Sequence, residues 1–237
     1  MQLPLERPSA RRQQGWLRSN FKPLLLLLTI PLLNIVYPLL NHPGRGVTYL
    51  TTALDHRIPF LKIFVLPYIA WYAFIIFVLV LLCAKDRMTY FRTLGSFHIG
   101  LIVCYIIFYF YQTAAPRPEL TGDDWLTALV RFIYWSDQPF NCLPSIHVLT
   151  SYLVMRGLLA SSIRGFGLRL FTIVTAVLII LSTLFIKQHV ILDVFAGILL
   201  GELAFVLSQA IIQQVLNGRS KHVWQKKQYS LSTMKKK

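Results

Sequence analysis

FLKIFVLPYIAWYAFIIFVLVLLC, residues 60–83, is an apolar stretch interrupted by one charge, Lys62. A helix needs about 20 mostly apolar residues to cross the hydrocarbon core of a bilayer, and this stretch is long enough to do so. Five further stretches have the same character: 22–41, 94–114, 143–160, 168–187 and 190–213. The sequence therefore predicts an all-α polytopic membrane protein whose six transmembrane helices form one bundle.

The composition supports a membrane protein and argues against one that binds nucleic acid. Hydrophobic residues make up 55% of the 237 residues and charged residues only 14%, which is too apolar for a soluble domain with a hydrated surface. The net charge of +15 comes from Lys and Arg at the chain ends and between apolar stretches, without a basic stripe interleaved with stacking aromatic residues. We therefore expect membrane lipids, and no nucleic acid, as partners.

The basic residues also predict how the spans are oriented, because Lys and Arg are retained on the cytoplasmic side. Most of the 24 basic residues lie in the N-terminal segment, in the connections after the second and fourth spans, and in the C-terminal tail. Both termini are therefore predicted to be cytoplasmic, in a cell-membrane protein. The predicted organisation is a basic segment at 1–21, one six-span domain at 22–216, and a basic tail at 217–237.

The ends of the apolar stretches leave two further questions open. The first stretch continues through Leu40 without a small-residue cleavage site, so we interpret it as a permanent span and not as a signal peptide. Gly197 and Gly201 form a GxxxG pattern, which either pairs two protomers or lets helices of one bundle approach closely. The oligomeric state is therefore left open.

Two histidines interrupt the apolar pattern, and ionisable residues inside a membrane are functional candidates by default. His147 and His189 are separated by 42 residues, about two membrane crossings, so the chain returns to the same depth at the second histidine. Asp193 lies four residues after His189, where its carboxylate can accept one ring N–H and leave the other nitrogen as a base or nucleophile. A buried structural ion pair is the alternative interpretation.

Two other elements are suited to binding phosphate. Pro144 is expected in the first turn of the fourth span, which places Ser145 at a helix N-terminus, where free N–H groups and the helix dipole attract anions. Arg117, between two prolines, opens the long extracytoplasmic connection 115–142 and offers a guanidinium for bidentate phosphate recognition. A plain helix start and a solvated turn are the respective alternatives.

Arg-Pro, Pro-Ser-x-His and His-x3-Asp, in this order, resemble the motifs of the type 2 phosphatidic acid phosphatase superfamily of six-span lipid phosphatases and phosphotransferases. The similarity covers about 55–202, and Asp55-His-Arg-Ile-Pro-Phe together with Lys-Gln-His resembles the branch related to inositol phosphorylceramide synthases. The resemblance implies that His189 is the nucleophile, Asp193 its orienter and His147 the acid that protonates the leaving group. It also implies that Arg117 and Ser145 hold the phosphate oxygens.

Three positions depart from the family motifs: Phe110, Ile146 and Thr183 stand where the family has Lys, Gly and Arg. Two of the three phosphate-binding cations are therefore missing. Lys187 is a candidate substitute, because a fifth helix that continued this far would place it one turn from Thr183 on the same face. No metal or other cofactor is expected, since the motif region lacks the carboxylate cluster that Mg²⁺ needs.

The resemblance implies a lipid phosphatase that hydrolyses a lipid phosphomonoester or diphosphate through a phosphohistidine at the extracytoplasmic face. Two alternatives stay open. The same chemistry would serve a phosphotransferase that passes the group to a lipid or sugar hydroxyl. A non-enzymatic transporter or scaffold would instead use the buried histidines as a proton relay or a structural network.

Overall fold

The computed structural model describes residues 21–44 and 46–234, so the predicted basic N-terminal segment, apart from its last residue, lies outside the described residues. Five helices in this part of the chain are long and apolar enough to cross a membrane. They are α1 (Phe21–Leu40), α3 (Val65–Lys85), α4 (Arg87–Phe110), α7 (Phe166–Phe185) and the first part, Ile191–Gly218, of α8 (Ile191–Met234). A polytopic, mainly helical membrane protein is therefore confirmed.

The fourth predicted span is a shorter helix, α6 (Ile146–Ala160), at the centre of the bundle. Its 15 residues rise by about 22 Å, which is less than the roughly 30 Å of a hydrocarbon core. It packs against α3, α4, α7 and α8. Five of the six predicted spans therefore have full membrane-crossing length, and both the six-span count and the orientation of the termini stay predictions.

Most helix limits differ by a few residues from those expected, and two of the differences have a clear structural cause. The third span begins at Arg87, not at residue 94, because the Asp86 side chain accepts the amide of Thr89 at 3.1 Å and caps the helix there. Arg87 and Arg92 are among the basic residues expected in the connection after the second span, and they lie in the first turns of this helix instead. The fifth span ends at Phe185 instead of residue 187, because the chain reverses at Lys187, whose φ is +56°.

The connections outside the spans carry short elements that place the candidate site. Helix α2 (Ala53–Arg57) precedes α3, and helix α5 (Trp125–Ser136) lies within the long connection. Strand β1 (Thr48–Tyr49) pairs in parallel with β2 (Thr113–Ala114), which leads directly into the segment that holds Arg117.

Gly197 and Gly201 allow α8 to approach α6 within this bundle. A Cβ at Gly197 would lie 2.9 Å from the carbonyl oxygen of Ser145, and one at Gly201 would lie 2.8 Å from the ring of Tyr152. Both distances are too short for a side chain. The GxxxG pattern is therefore used for packing inside one chain, which sets the spacing between the start of α6 and the start of α8.

Candidate active site

His189 and Asp193 form a buried pair at the start of α8. The ring Nδ1 of His189 lies 3.3 Å from Asp193 Oδ2, and the same oxygen accepts the amide of Val190 at 2.9 Å. Asp193 is fully buried and His189 is 8% exposed. The predicted pairing is present, although His189 precedes the helix instead of lying on it. With Nδ1 directed at the carboxylate, Nε2 is the nitrogen available for chemistry.

The turn between α7 and α8 holds the histidine in place. The amides of Gln188 and His189 both donate to the carbonyl of Thr183, at 2.9 and 3.1 Å, while Lys187 takes the left-handed conformation. This is the position after a helix end that usually holds Gly or Asn. The expected one-turn relation between positions 183 and 187 on one helix face is therefore wrong, because the left-handed residue turns the chain back across the end of α7.

His147 faces His189 from the second position of α6. Its ring packs against Tyr68 and Trp71, at centroid distances of 4.5 and 4.2 Å, and its centroid is 6.0 Å from that of His189. The Trp71 indole is itself fixed by donation to Thr150 Oγ1 at 2.9 Å. The structure thus brings the two imidazoles to one level, within reach of a single phosphoryl group.

Ser145 caps the helix that carries His147. Its Oγ accepts the amide of Val148 at 3.3 Å, and its own amide donates to the carbonyl of Asp193 at 3.2 Å. The helix starts after Ser145, so Pro144 precedes the cap and is not in the first turn as expected. Ser145 is fully buried and joins the start of α6 to the start of α8; its contact with phosphate stays a prediction.

Arg117 anchors the end of α5 to the turn that carries His189. Its NH1 and NH2 donate to the carbonyls of Tyr134 and Asp137 at 3.0 and 2.6 Å, and NH2 also donates to the Gln188 side chain. The guanidinium carbon lies 4.4 Å from the centre of the Tyr134 ring. Its buried Nε has no partner among the described residues. Arg117 is therefore not a solvated turn residue, and the Nε–H remains to be satisfied.

Lys187 points inward. Its Nζ donates to the carbonyls of Asp55 and Ile58, at 3.0 and 2.6 Å, where α2 ends. Burial lowers the pKa of Lys187 below its ordinary value, against the opposing effect of the Asp55 carboxylate. Two of its three N–H bonds hold α2, and the side chain lines the same cavity as His189.

Asp55 is a site residue that the sequence analysis missed. It closes a capping box with Thr52, and its Oδ1 accepts the amide of Ile191, the first residue of α8, at 2.8 Å. Burial raises its pKa, but hydrogen bonds from Thr52 and Ile191 outweigh this and hold the pKa below its ordinary value. The Thr-x-x-Asp spacing is the signal that marks such a cap in a sequence.

Asp137 is a second missed residue. Its two oxygens accept from the Tyr37 hydroxyl at 2.7 Å, the Asn41 amide at 3.1 Å and the Tyr68 hydroxyl at 3.2 Å. These partners come from α1, the segment after it and α3, which are far apart in the sequence. No local motif reveals such a cluster.

His189 lies between two cavities. The first, which we call the cationic cavity, has a volume of about 320 Å³ and is lined by Arg117, Lys187 and Asp55 as well as His189. The second, the aromatic cavity, has a volume of about 410 Å³; His147, His189 and Asp137 line it together with Tyr37, Tyr68, Trp71 and Tyr72. The nucleophile candidate therefore has positive charge on one side and the second histidine on the other.

Comparison with known proteins identifies the family. Residues 89–216, more than half of the chain, match the model of the PAP2 superfamily. The protein belongs to the PAP2 superfamily. The match contains Arg117, Ser145, both histidines and Asp193, and it leaves the narrower branch untested. The crystal structure of Aquifex aeolicus LpxE is similar over 76% of this chain and 93% of that chain, with 15% identity and a TM-score of 0.48. A search of curated proteins gives no significant match.

Neither of the two positions that lack the PAP2 cation, Phe110 and Thr183, lines a cavity beside the histidines. Phe110, at the end of α4, is 80% exposed, and Thr183 is completely buried with its hydroxyl on the carbonyl of Ile180. Arg131, another candidate source of charge, donates to the carbonyls of Leu120 and Gly122 and lines neither cavity. In the part of the chain that the structure describes, Arg117 and Lys187 are thus the Arg and Lys that line the cavities beside the two histidines.

One cluster near the PAP2 site has the residue types of a metal centre. Cys142, His189 and Asp193 have potential ligand atoms within 4.8 Å of one another, and all three are buried. Burial raises the pKa of the Cys142 thiol well above its ordinary value, and Asp193 and Asp137 act in the same direction. A thiol, an imidazole and one carboxylate do not provide the oxygen ligands that Mg²⁺ requires. This cluster therefore does not fit a magnesium site.

Proposed function

We propose that this protein is a membrane-embedded lipid phosphatase that hydrolyses a lipid phosphomonoester or diphosphate at the extracytoplasmic face. The observation that carries the proposal is the arrangement of His189, paired with Asp193, opposite His147 at the junction of the two cavities. Membership in the PAP2 superfamily supports the same reaction class. The conclusion rests on the site, not on the fold alone.

In the first step, His189 Nε2 attacks phosphorus and the bond from phosphorus to the leaving oxygen breaks. Asp193 accepts the Nδ1–H and stabilises the positive charge that develops on the ring. Protonated His147 donates a proton to the leaving oxygen. Because His147 lines the aromatic cavity, the leaving group departs on that side: the lipid alcohol from a phosphomonoester, or the lipid monophosphate from a diphosphate.

In the second step, water takes the place of the leaving group and attacks the phosphohistidine. His147 accepts the proton of the water, the phosphorus–nitrogen bond breaks, and inorganic phosphate leaves with His189 restored. Arg117 and Lys187 stabilise the phosphoryl oxygens from the cationic cavity. Phosphoryl transfer depends mainly on positioning and electrostatics, so these groups supply what the reaction needs without a metal.

The test is purified protein assayed against phosphatidate, phosphatidylglycerophosphate, a sphingolipid phosphate and a polyprenyl diphosphate. Phosphate release and new lipid species are measured together. We expect release from at least one lipid, loss of release in His189→Ala and Asp193→Asn, and normal release in the control His42→Ala, whose side chain is exposed and outside both cavities. Release that survives in His189→Ala would refute the assignment.

A phosphotransferase is the second candidate function. The size of the aromatic cavity supports it, because an acceptor larger than water would fit there. The acceptor must attack from the side that the leaving group vacates, where a volume of about 410 Å³ far exceeds the roughly 30 Å³ share of one water. An added diacylglycerol or inositol acceptor distinguishes the two. If a new phosphorylated lipid or sugar forms while the release of free phosphate decreases, the reaction is transfer and not hydrolysis.

A further inference from the structure

The two cavities beside His189 differ in charge. Arg117 and Lys187 line the cationic cavity against one carboxylate, that of Asp55. In the part of the chain that the structure describes, no Lys or Arg lines the aromatic cavity, and its carboxylate is that of Asp137. Five aromatic side chains line the aromatic cavity besides the two histidines: Tyr37, Tyr68, Trp71, Tyr72 and Phe132. The cationic cavity is therefore suited to an anion, and the aromatic cavity to a cation.

Asp137 keeps a negative charge that its own contacts do not neutralise. A carboxylate offers about four lone-pair sites. Three are occupied by the Tyr37 hydroxyl at 2.7 Å, the Asn41 amide at 3.1 Å and the Tyr68 hydroxyl at 3.2 Å. These donors are neutral, and the ion pairs among the described residues do not include Asp137. Arg117 binds the backbone carbonyl of Asp137 and not its carboxylate. A cationic group in the aromatic cavity would therefore meet an unpaired negative charge.

A purely structural role for Asp137 does not require this charge. Its hydrogen bonds link the end of α5 to α1, to the residue after α1 and to α3. An asparagine could accept these bonds without the free-energy cost of removing a carboxylate from water. The carboxylate at this partly buried position, on the wall of a cavity that both histidines share, therefore points to a ligand of opposite charge.

The aromatic rings beside Asp137 form the walls of a cage. Tyr68 and Trp71 both pack against the ring of His147, and Tyr72 lies 4.4 Å from Trp71 at an interplanar angle of 60°. The Tyr68 hydroxyl also bonds to Asp137, so this ring connects the carboxylate to His147. Ring faces attract ammonium groups, and cages of such rings recognise quaternary ammonium ligands. Rings and carboxylate together thus favour an ammonium group close to His147.

We propose that the aromatic cavity binds an ammonium group of the substrate, between the rings and Asp137. Because the leaving group departs on this side, the ammonium belongs to the alcohol that leaves and lies within a few bonds of its ester oxygen. The substrate class is then a phosphomonoester of an amino alcohol, whose phosphate lies in the cationic cavity. This inference rests on the proposed function and adds the substrate class. The amino alcohol is a long-chain base in a lipid or a short one in a water-soluble ester.

The experiment measures binding without turnover. The full-length His189→Ala protein in dodecyl maltoside micelles is titrated with three lipids that share one chain and one phosphate. Sphingosine 1-phosphate and its N-trimethyl derivative carry a charged nitrogen, whereas N-acetylsphingosine 1-phosphate carries a neutral one of similar bulk to the trimethyl group. We expect both charged lipids to bind about tenfold more tightly than the acetylated lipid, in line with a cation enclosed by rings and a carboxylate. Equal affinity for all three would overturn the proposal.

Variants in the same His189→Ala background locate the preference. Asp137→Asn and Tyr72→Leu should each remove most of the tenfold difference and leave the affinity for the acetylated lipid unchanged. Tyr72→Leu leaves the three hydrogen bonds of Asp137 in place, so it tests the cage even where thermal unfolding shows that Asp137→Asn is destabilised. Tyr49→Leu is the matched control, because Tyr49 is 62% exposed and outside both cavities. A preference that persists in Tyr72→Leu, or that Tyr49→Leu removes equally, would refute the cage.

Two further measurements identify the source of the ammonium and separate this site from the enzyme. Phosphoethanolamine that displaces sphingosine 1-phosphate at equal concentration would support a water-soluble ester; displacement by long-chain esters alone would support a lipid. A preference for the charged lipids, combined with a wild-type protein that releases no phosphate from any of them, would support the ammonium site and refute the phosphatase. Phosphate release at the same kcat/KM from the charged and the acetylated lipids would do the reverse.

Discussion

Replacing Lys187 by Met tests whether its charge takes part in the reaction. The ammonium donates to the carbonyls of Asp55 and Ile58, and it lines the cationic cavity with Arg117 and His189. Methionine has a similar length and an apolar stem, but it lacks the charge and all three donors. The substitution therefore removes one phosphate-facing cation and two hydrogen bonds to the end of α2.

The two losses have different magnitudes and different readouts. Removing one preorganised donor to a developing oxyanion costs about 10²–10³ in kcat. Losing the charged hydrogen bonds costs about 1.5–3 kcal/mol each in stability, so Tm should fall as well. Lys187→Arg keeps the charge and should retain most of the rate. Lys187→Gly lacks the charge but removes the roughly 1 kcal/mol cost of a left-handed non-glycine residue, so it should be as slow as the Met variant and more stable.

The pH dependence gives an independent readout. Burial lowers the pKa of Lys187, so its ammonium loses a proton at a lower pH than that of a free lysine. If the charged form is required, kcat/KM of the wild type falls as pH rises through this pKa. The fall should be absent in Lys187→Met and should shift to higher pH in Lys187→Arg.

The assay is phosphate release from a lipid phosphate in mixed micelles, with thermal unfolding measured on the same samples. Lys62→Met is the matched control, because it removes an exposed ion pair with Asp124 that lies outside both cavities; such pairs contribute little, so the rate should stay within about twofold. A Lys187→Met protein that unfolds earlier but turns over within about threefold of wild type would show that Lys187 serves only to hold α2, against the 10²-fold or larger loss expected here.

Four further outcomes follow from the same site. Chelation with EDTA should leave turnover unchanged; activity that is lost in chelator and restored by Mg²⁺ would refute a metal-free reaction. His147→Ala should retain activity on substrates with a weakly basic leaving group, whereas His189→Ala should lose activity on all substrates, because a good leaving group needs little acid catalysis; equal dependence on leaving-group pKa in both variants would contradict the assigned roles. A single cysteine at position 125, where Trp125 is 62% exposed, should react with a membrane-impermeant thiol reagent from the extracytoplasmic side; reaction only from the cytoplasmic side would invert the topology. Asp55→Asn weakens the acceptor for the Ile191 amide at the start of α8 and should lower kcat more than it changes KM, with recovery in Asp55→Glu; unchanged kcat would leave Asp55 as a cap of α2 alone.

The spacing of the motifs is sufficient to predict that the two histidines come together. The distance between His147 and His189 matches two crossings, and the structure places their rings 6.0 Å apart. The position of Asp193 follows from helical spacing, because a carboxylate in the first turn reaches a side chain just before the helix. These relations are local or depend only on span length, which a sequence shows directly.

Other features depend on tertiary structure and had no such signal. The inward direction of Lys187 follows from a left-handed turn at a position where glycine is usual, so helical periodicity gave the wrong geometry. Arg117 is held by carbonyls at the end of α5, a helix inside a connection that the sequence analysis treated as a loop. Asp137 collects partners from separate spans, and only the folded bundle brings them together.

The most direct test of the account is detection of phosphate on His189. Wild-type protein and the His147→Ala and His189→Ala variants are mixed with a ³²P-labelled lipid phosphate, quenched at alkaline pH, which preserves phosphohistidine, and analysed by peptide mass spectrometry. The account predicts phosphate on His189 in the wild type, continued formation in His147→Ala with a good leaving group, and none in His189→Ala. Phosphate on His147, or turnover by a wild-type protein that never carries phosphate on His189, would contradict it.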